Sequence, residues 1–513
     1  MKRHVILAAV FVCLLIAMPT RQALAQHELP SNDLMYHSFR LPQSNQMNPA
    51  FFPRNNKVFV TLPSFGFSFG FPISYNDLGL KYNNATDKTE LDIFELADKL
   101  SDNNQLNFNM QVDLVGFGFK VGRAFFTFQS SAVFGGIITL PNDAFDALTE
   151  GSDNLVGPDN AIKLASGDLM TINSYARISL GGGYEFEQIP LTLGAHINIL
   201  KGIANVNTDE TDIRLYAQDQ YYSSVVADMS YRFRTAGIAS FKDGSLEFDG
   251  TPSSSGFTFD LGAQYVYNDF IFSAALIDVG PGIHWNQNVE THKPKSHTIT
   301  FDGFDITNLI NGGEFDNTFA RDFRDSLTNI YEMTDEEGGD FWYSIPTKIK
   351  LGASYTFLND MLRAGFLFHG QWDKGIMCSG HGFNVPNNNF RFNTTLSLTA
   401  NVFDWLEVMV GNSLVFDSHN TDIINPGVGF ALTPLKTIQI YVMADYLSNF
   451  YAVDSKTFNM NMGFNLLFGN KKSKKESYDP IATTITAPPS VLHDENEEEE
   501  MEVDDNAAET DGE

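Results

Sequence analysis

The feature that most limits the fold is a two-residue hydrophobic period held over unusual lengths. Phe392, Thr394, Leu396, Leu398, Ala400 and Val402 alternate with Arg391, Asn393, Thr395, Ser397, Thr399 and Asn401. Phe257, Phe259, Leu261, Ala263, Tyr265 and Tyr267 alternate with Thr258, Asp260, Gly262, Gln264 and Val266. Phe458 to Phe468 repeats the pattern against Asn459, Asn461, Gly463 and Asn465, and Phe108 to Leu114 against Asn107, Asn109, Gln111 and Asp113. Period two means a strand with one apolar and one polar face. Ordinary strands average ~5–6 residues, whereas strands that cross a membrane need ~9–11. These runs reach the second length. Asn, Gln, Asp and Arg on the polar face suit a wet lumen, and Tyr265 and Tyr267 at a strand end suit an interfacial girdle.

The connections sharpen this. Sixteen candidate strands fall at 57–73, 105–121, 123–137, 171–187, 189–204, 211–217, 223–234, 256–267, 269–279, 346–358, 361–372, 389–403, 405–416, 424–433, 436–447 and 457–468. The segments 211–217 and 424–433 are the weakest of them. Tight links at Gly122, Gln188, Asn268, Asn359-Asp360, Asp404 and Pro434-Leu435, with a slightly longer one at Asp219–Tyr222, alternate with links that are mostly much longer. An outer-membrane barrel sorts its links this way, short turns in the periplasm and long loops outside. The expected fold is all-β, a transmembrane antiparallel β-barrel of about 14–16 strands over 57–468. With the final strand running inward, both termini face the periplasm.

The ends of the chain agree with export. Lys2 and Arg3, an apolar run from Val5 to Met18 and Ala23-Leu24-Ala25 form a secretory signal peptide over 1–25. No small residue precedes Cys13, so the chain lacks a lipobox, and Cys378 alone remains for the mature chain, too few for a disulfide framework. No later run reaches ~18 apolar residues, so any crossing is by strands. The formal charge of −30 argues against a nucleic-acid partner. Residues 469–513 begin basic, pass through a Pro/Thr-rich stretch and end acidic, the composition of a disordered periplasmic tail.

Between signal and first strand, 26–56 is expected to form a hatch or plug. Pro42, Pro49 and Pro53 forbid a regular helix or central strand there. Asn48, Pro49, Ala50, Phe51 and Phe52 are its candidate gating residues. Amphipathic stretches at Leu91–Ser101 and Phe319–Met333 read as short helices in extracellular loops, with Phe319, Phe323, Leu327 and Ile330 on one apolar stripe that could meet a ligand or a partner protein. Gly181-Gly182-Gly183 inside a strand marks a possible wall kink.

Signals for chemistry are poor. Cys378 and His381, with His369 upstream, supply at most three ligands without zinc-site spacing. There is no Gly-x-Ser-x-Gly, phosphate loop or His-Glu-x-x-His, so the expectation is no enzyme, no cofactor and no metal.

Two segments carry a resemblance. Asn48-Pro49-Ala50 ahead of the barrel, and FIFSAALIDVGPGIHW at Phe270–Trp285, look like the hatch and a mid-barrel strand of FadL-type outer-membrane transporters and of PorV, the barrel subunit of type IX secretion. The pattern from Leu41-Pro42-Gln43 through Asn48-Pro49-Ala50 to Leu62-Pro63 is similar to an uncharacterised exported barrel family within the FadL/TodX superfamily. The resemblance implies a passive channel in the outer membrane for apolar or amphipathic small molecules, gated by the hatch, with ligand release through a lateral gap at a wall kink. The alternative it implies is a scaffold or shuttle barrel holding a secretion or surface-assembly protein.

Overall fold

The computed structural model describes residues 32–469 except 55, 75, 77–79, 84–87, 92–94, 97–98, 101–102, 142–155, 168, 221–223, 243–244, 249–253, 295–297, 302–332, 359–360, 373–376, 380–381, 385–389, 416–424, 446 and 448–455. They form a closed barrel of 14 antiparallel strands. The strands are β1 (Val58–Thr61, resuming as Ser64–Gly70 after Pro63), β2 (Asn103–Val121), β3 (Ala124–Pro141), β4 (Met170–Glu185), β5 (Leu191–Ala217), β6 (Ser255–Tyr267) and β7 (Phe270–Trp285). They continue with β8 (Thr347–Phe357), β9 (Leu362–Trp372), β10 (Phe390–Phe403), β11 (Leu406–Val415), β12 (Asn425–Leu432), β13 (Ile438–Asp445) and β14 (Thr457–Phe468). β1 pairs with β2 on one side and β14 on the other, which closes the barrel.

The alternation sorts the faces as the sequence dictates. On β6, Leu261 is 57% exposed toward lipid, while Thr258 and Asp260, which alternate with the outward Phe257, Phe259 and Leu261, are buried in the lumen. β2 keeps both halves of its apolar set outward by a device. The bulge between Asp113 and Val115 inserts one residue, which flips the parity, so Met110 and Leu114 before it and Phe117 and Phe119 after it are all exposed.

One part of the strand reading is corrected. The segments 189–204 and 211–217 are a single 27-residue strand, β5. The polar run Asn205–Glu210 between them reads as a loop but stays in the ladder, because Val225–Gly237 lies beside it, with Thr235 opposite Val206 and Arg232 opposite Glu210. Val225–Gly237 is therefore stacked above β6 along the same edge of β5, which β6 joins only from Leu191 to Lys201. With ~3.3 Å per residue, β5 runs about 90 Å, far beyond an apolar band of ~25 Å. Its far half carries a sheet outside the wall that includes Ile162–Ser166, Val225–Gly237, Glu290–Pro294, Thr298–Phe301 and Met333–Glu337. Removing the Asp219–Tyr222 link from the tight set leaves six tight turns, all at one end of the barrel.

Segment 32–56 fills the lumen. Among the described residues, a 3₁₀ turn at Asp33–His37 and a helical turn at Ser44–Met47 are its only regular pieces, and none pairs with a strand. Asn32 lies beside Asn459, well up the wall, and the chain descends past Arg40 at the tight-turn end before rising to Asn48 and returning to β1. Leu34, Met35, Tyr36, Phe39, Leu41, Met47 and Phe51 form a small core with Ile271, Leu367, Met409, Tyr441 and Met443 of the wall.

Candidate functional site: the hatch and its seat

A segment without strand pairing must be held by side chains and by closeness of fit, and both are visible. The wall presents glycine at several inward positions where the hatch comes near. A Cβ on Gly194 of β5 would collide with Pro49 O, and one on Gly262 of β6 with Asn48 Oδ1. Gly352, Gly365 and Gly411, on β8, β9 and β11, stand in the same relation to Tyr36, His37 and Leu34. Asn48 is fully buried between the first two glycines. Its Nδ2 donates toward Tyr36 Oη (3.1 Å), Ala274 O (3.2 Å) and Ala263 O (3.4 Å), and its Oδ1 accepts from Ala50 N (3.0 Å). The Asn48 amide thus spans β6, β7 and the hatch's own turn. Tyr36 Oη donates on to Ser273 Oγ (3.1 Å).

Charge is placed at two levels. Asp33 receives Lys350 Nζ (2.6 Å) and His369 Nδ1 (3.1 Å), all three buried. Burial works to raise the Asp33 carboxyl, but His369 and Lys350 outweigh it and hold it well below the usual range. His37 Nε2 meets Phe366 O at 3.1 Å, and burial, helped by Arg363, pushes its imidazole down to about 4. Arg363 also donates to His37 O (3.1 Å) and stacks on Phe39, whose other guanidinium neighbour is Arg54, each 4.6 Å from the ring centre. At the tight-turn end, Ser38 donates to Glu407 and Gln43 exchanges two amide bonds with Asn465.

On the opposite wall, Asn45 Nδ2 donates to Phe51 O (2.8 Å) and Pro49 O (3.3 Å), which turns its Oδ1 toward His196 Nε2 (3.0 Å). His196 Nδ1 faces Asp260 Oδ2 (3.1 Å), so both ring nitrogens meet acceptors. Asp260 Oδ1 in turn accepts from Asp278 N (2.8 Å), and Arg177 donates to Asp278 Oδ1 (2.7 Å). Asp278 sits at φ 60°, beside Gly280 and Gly282 at φ 150° and 78°, in a bulge where β7 slips against β6. Beyond Arg177 the lumen turns apolar, with Tyr175, Leu200, Ile283, Trp285 and Ile345 packed together.

Of the residues read from the sequence, Asn48, Pro49, Ala50 and Phe51 converge on the seat, and Phe52 lies nearer the tight turns, 5.1 Å from the ring of Phe125 and 5.4 Å from that of Phe59. β4 passes through Gly181–Gly183 in unbroken register with both neighbours, and the glycines leave room for His196 and Phe125. Phe319, Phe323, Leu327 and Ile330 lie outside the described residues. Sequence reasoning missed Asp33, His37, His196 and the seating glycines. The available signal was parity, since Gly262 and Asp260 fall on the polar face of an alternating strand where a lumen-facing side chain is due.

The profile of a family of unknown function, DUF5723, matches residues 49–445. The chain belongs to DUF5723. No curated protein matches this family member significantly. Among solved structures it is similar to the Ralstonia pickettii toluene transporter TbuX, at 11% identity and a TM-score of 0.40 over 84% of this chain and 94% of that one. A Pseudomonas aeruginosa FadL homologue aligns at 11% and 0.39 over 84% and 95%. The P. putida toluene transporter TodX aligns at 10% and 0.41 over 82% and 92%.

Proposed function

We propose that this protein is an outer-membrane channel for small apolar or amphipathic molecules, gated by segment 32–56, with the tight turns in the periplasm. The observation that carries the reading is the way the hatch is held. It contributes no strand to the barrel and rests on discrete side-chain bonds and on glycine seats, so it can leave the lumen while the ladder that closes the barrel stays whole. Each such hydrogen bond contributes only ~0.5–1.5 kcal/mol net, and displacement must also overcome the buried Asp33–Lys350 pair and the apolar core that the hatch shares with the wall. The scaffold alternative draws on 319–330 and on the tail, which lie outside the described residues.

The test is uptake of an apolar tracer into vesicles holding the purified barrel. Asn48→Ala removes every contact of the Asn48 amide, and deletion of Ser44–Phe52 removes the seated turn. Both are expected to raise uptake several-fold at unchanged barrel abundance. Uptake equal to that of the parent in both variants refutes gating.

A further inference from the structure

The hatch is not held equally on all sides. Toward β5–β9 it rests on the glycine seats and on the bonds of Asn48, Tyr36, Asp33 and His37, all four fully buried. Toward β2–β4 the fit is different. The glycines within these three strands have wall atoms, not hatch atoms, as their nearest neighbours. Among the described residues, Gln46 is the hatch's one polar link to β2, through Asp113 (3.1 Å) and Gln111 (3.2 Å). Among the same residues, β3 and β4 make no hydrogen bond to the hatch.

Two small spaces lie on this side. Both are bounded by Asn45 and Gln46 of the hatch and by Thr127 and Gln129 of β3. Each has room for about one water molecule, and a polar space of that size takes water. Thr127 and Gln129 are hydrogen-bonded to no protein group among the described residues, so their polar atoms are turned to that water. A bridging water holds two surfaces nearly as well as a direct bond does. Parting surfaces that are already wet, however, exposes little new apolar area. Parting the other side exposes the core that Leu34, Tyr36 and Phe51 share with Leu367 and Met409.

We propose that release of the hatch begins on one side. The turn Ser44–Met47 swings off β2–β4 while residues 33–40 stay on β7–β13, with Asn48 as the pivot against β6 and β7. The motion breaks the Gln46 bonds to β2, the Gln43 exchange with Asn465 and the Asn45 contact with His196. It draws Met47 from the edge of the core and leaves the Asp33–Lys350 pair whole. This first step already opens a passage along β2–β4. Gln111, Thr127, Gln129 and Ser131 line it there, neutral polar side chains that suit the amphipathic members of the solute class. The inference deepens the channel reading and rests on it for traffic; the motion is measured without transport, so either fails alone.

The first measurement is thiol reactivity of the full chain in lipid nanodiscs, in a Cys378→Ser background. Gln129 on the hydrated side and Ser273 beneath Tyr36 are both half-buried, so static exposure does not separate them. Gln129→Cys is expected to react with a water-soluble methanethiosulfonate at least tenfold faster than Ser273→Cys. Gln46→Cys, also half-buried, stands in if Gln129→Cys fails to fold. The second measurement uses a short cleavable thiol crosslinker. Gln46→Cys with Gln129→Cys ties the turn to β3. Leu34→Cys with Gly411→Cys ties the start of the hatch to β11, where a Cβ at residue 411 stands 2.9 Å from the Leu34 side chain. Crosslinking is expected to cut tracer uptake into vesicles at least tenfold in the first pair and less than twofold in the second, with recovery on cleavage. Equal thiol rates, a first pair indifferent to crosslinking, or equal loss of uptake in both pairs overturns the proposal. A parent without uptake refutes the channel instead, and the thiol rates then decide the motion.

Discussion

A single methyl group at residue 262 would land on Asn48 Oδ1 and within 2.8 Å of Ala50 N. The Asn48 side chain is buried and bonded at both ends of its amide, and the Pro49 ring stands 2.8 Å away beside Ala50 N, so the hatch must shift. Overpacking of a well-fitted interior typically costs ~1–3 kcal/mol. Gly262→Ala is therefore expected to free the hatch by about that amount, read as faster proteolysis within 32–56 while the heat-denaturation midpoint of the barrel is unchanged. Gly182 is the control, since its neighbours at 3.2 Å and beyond are β3 atoms rather than hatch atoms. If Gly182→Ala and Gly262→Ala loosen the hatch equally, the seat has no special role. The glycine is visible in the sequence only as a gap in the polar face of an alternating strand. What it makes room for arrives from about 210 residues away in the chain, and nothing local in Phe259–Tyr265 announces it. Asn48 is legible for a different reason. An Asn between prolines, in a segment that can be neither helix nor strand, must use its amide locally or against the wall, and it does both.

At the scale of the element, the hatch behaves as one docked unit whose attachment depends on protonation. Docked, His37 stays neutral because burial holds it down to about 4, next to Arg363 and with Asp33 nearby; released, it returns to an ordinary value of ~6.5. The released hatch thus binds a proton across that interval and the docked hatch does not. The His37 contribution to docking is lost as pH falls from 6.5 to 4, on the order of 3 kcal/mol, and that contribution is constant above 6.5. Asp33 acts lower and in its own window. Its depressed carboxyl keeps its contribution above the ordinary carboxylate value and loses it only as pH falls through the lowered one. The hydrogen-exchange protection factor of 32–56, each rate divided by the intrinsic rate at its pH, is expected to fall below 6.5 between pH 8 and 4, and His37→Gln is expected to flatten the curve; a parent protection factor without slope between 6.5 and 4 removes His37 as the cause. The sequence shows that 26–56 is irregular and precedes the barrel. It does not show that Asp33 reaches Lys350 and His369, because ion pairs at such separation leave no periodic trace.

For the molecule as a whole, period two carries almost everything: barrel class, outward belt, the side of the short turns. Leu261 lies in the middle of β6, opposite Ala195 and Leu276, and Leu435 in a tight turn. Leu261→Arg is expected to cost ~2–4 kcal/mol of barrel stability in lipid and Leu435→Arg ~0–1, measured by denaturant titration in vesicles. Equal costs would place the belt elsewhere. The sequence miscounts where polarity stops being a boundary, at Asn205–Glu210, since a strand that leaves the membrane no longer needs an apolar face. That same continuity makes β5 one mechanical member. Gly194, which bears on Pro49, lies near its start, and the outer sheet is bonded along its far half. A strand laddered on both edges cannot stretch, and its smallest slip is one residue, about 3.3 Å, which would turn every side chain to the wrong face. The outer sheet and the backbone beneath the hatch are therefore joined by one continuous strand, as a mast is stepped in the hull it steadies.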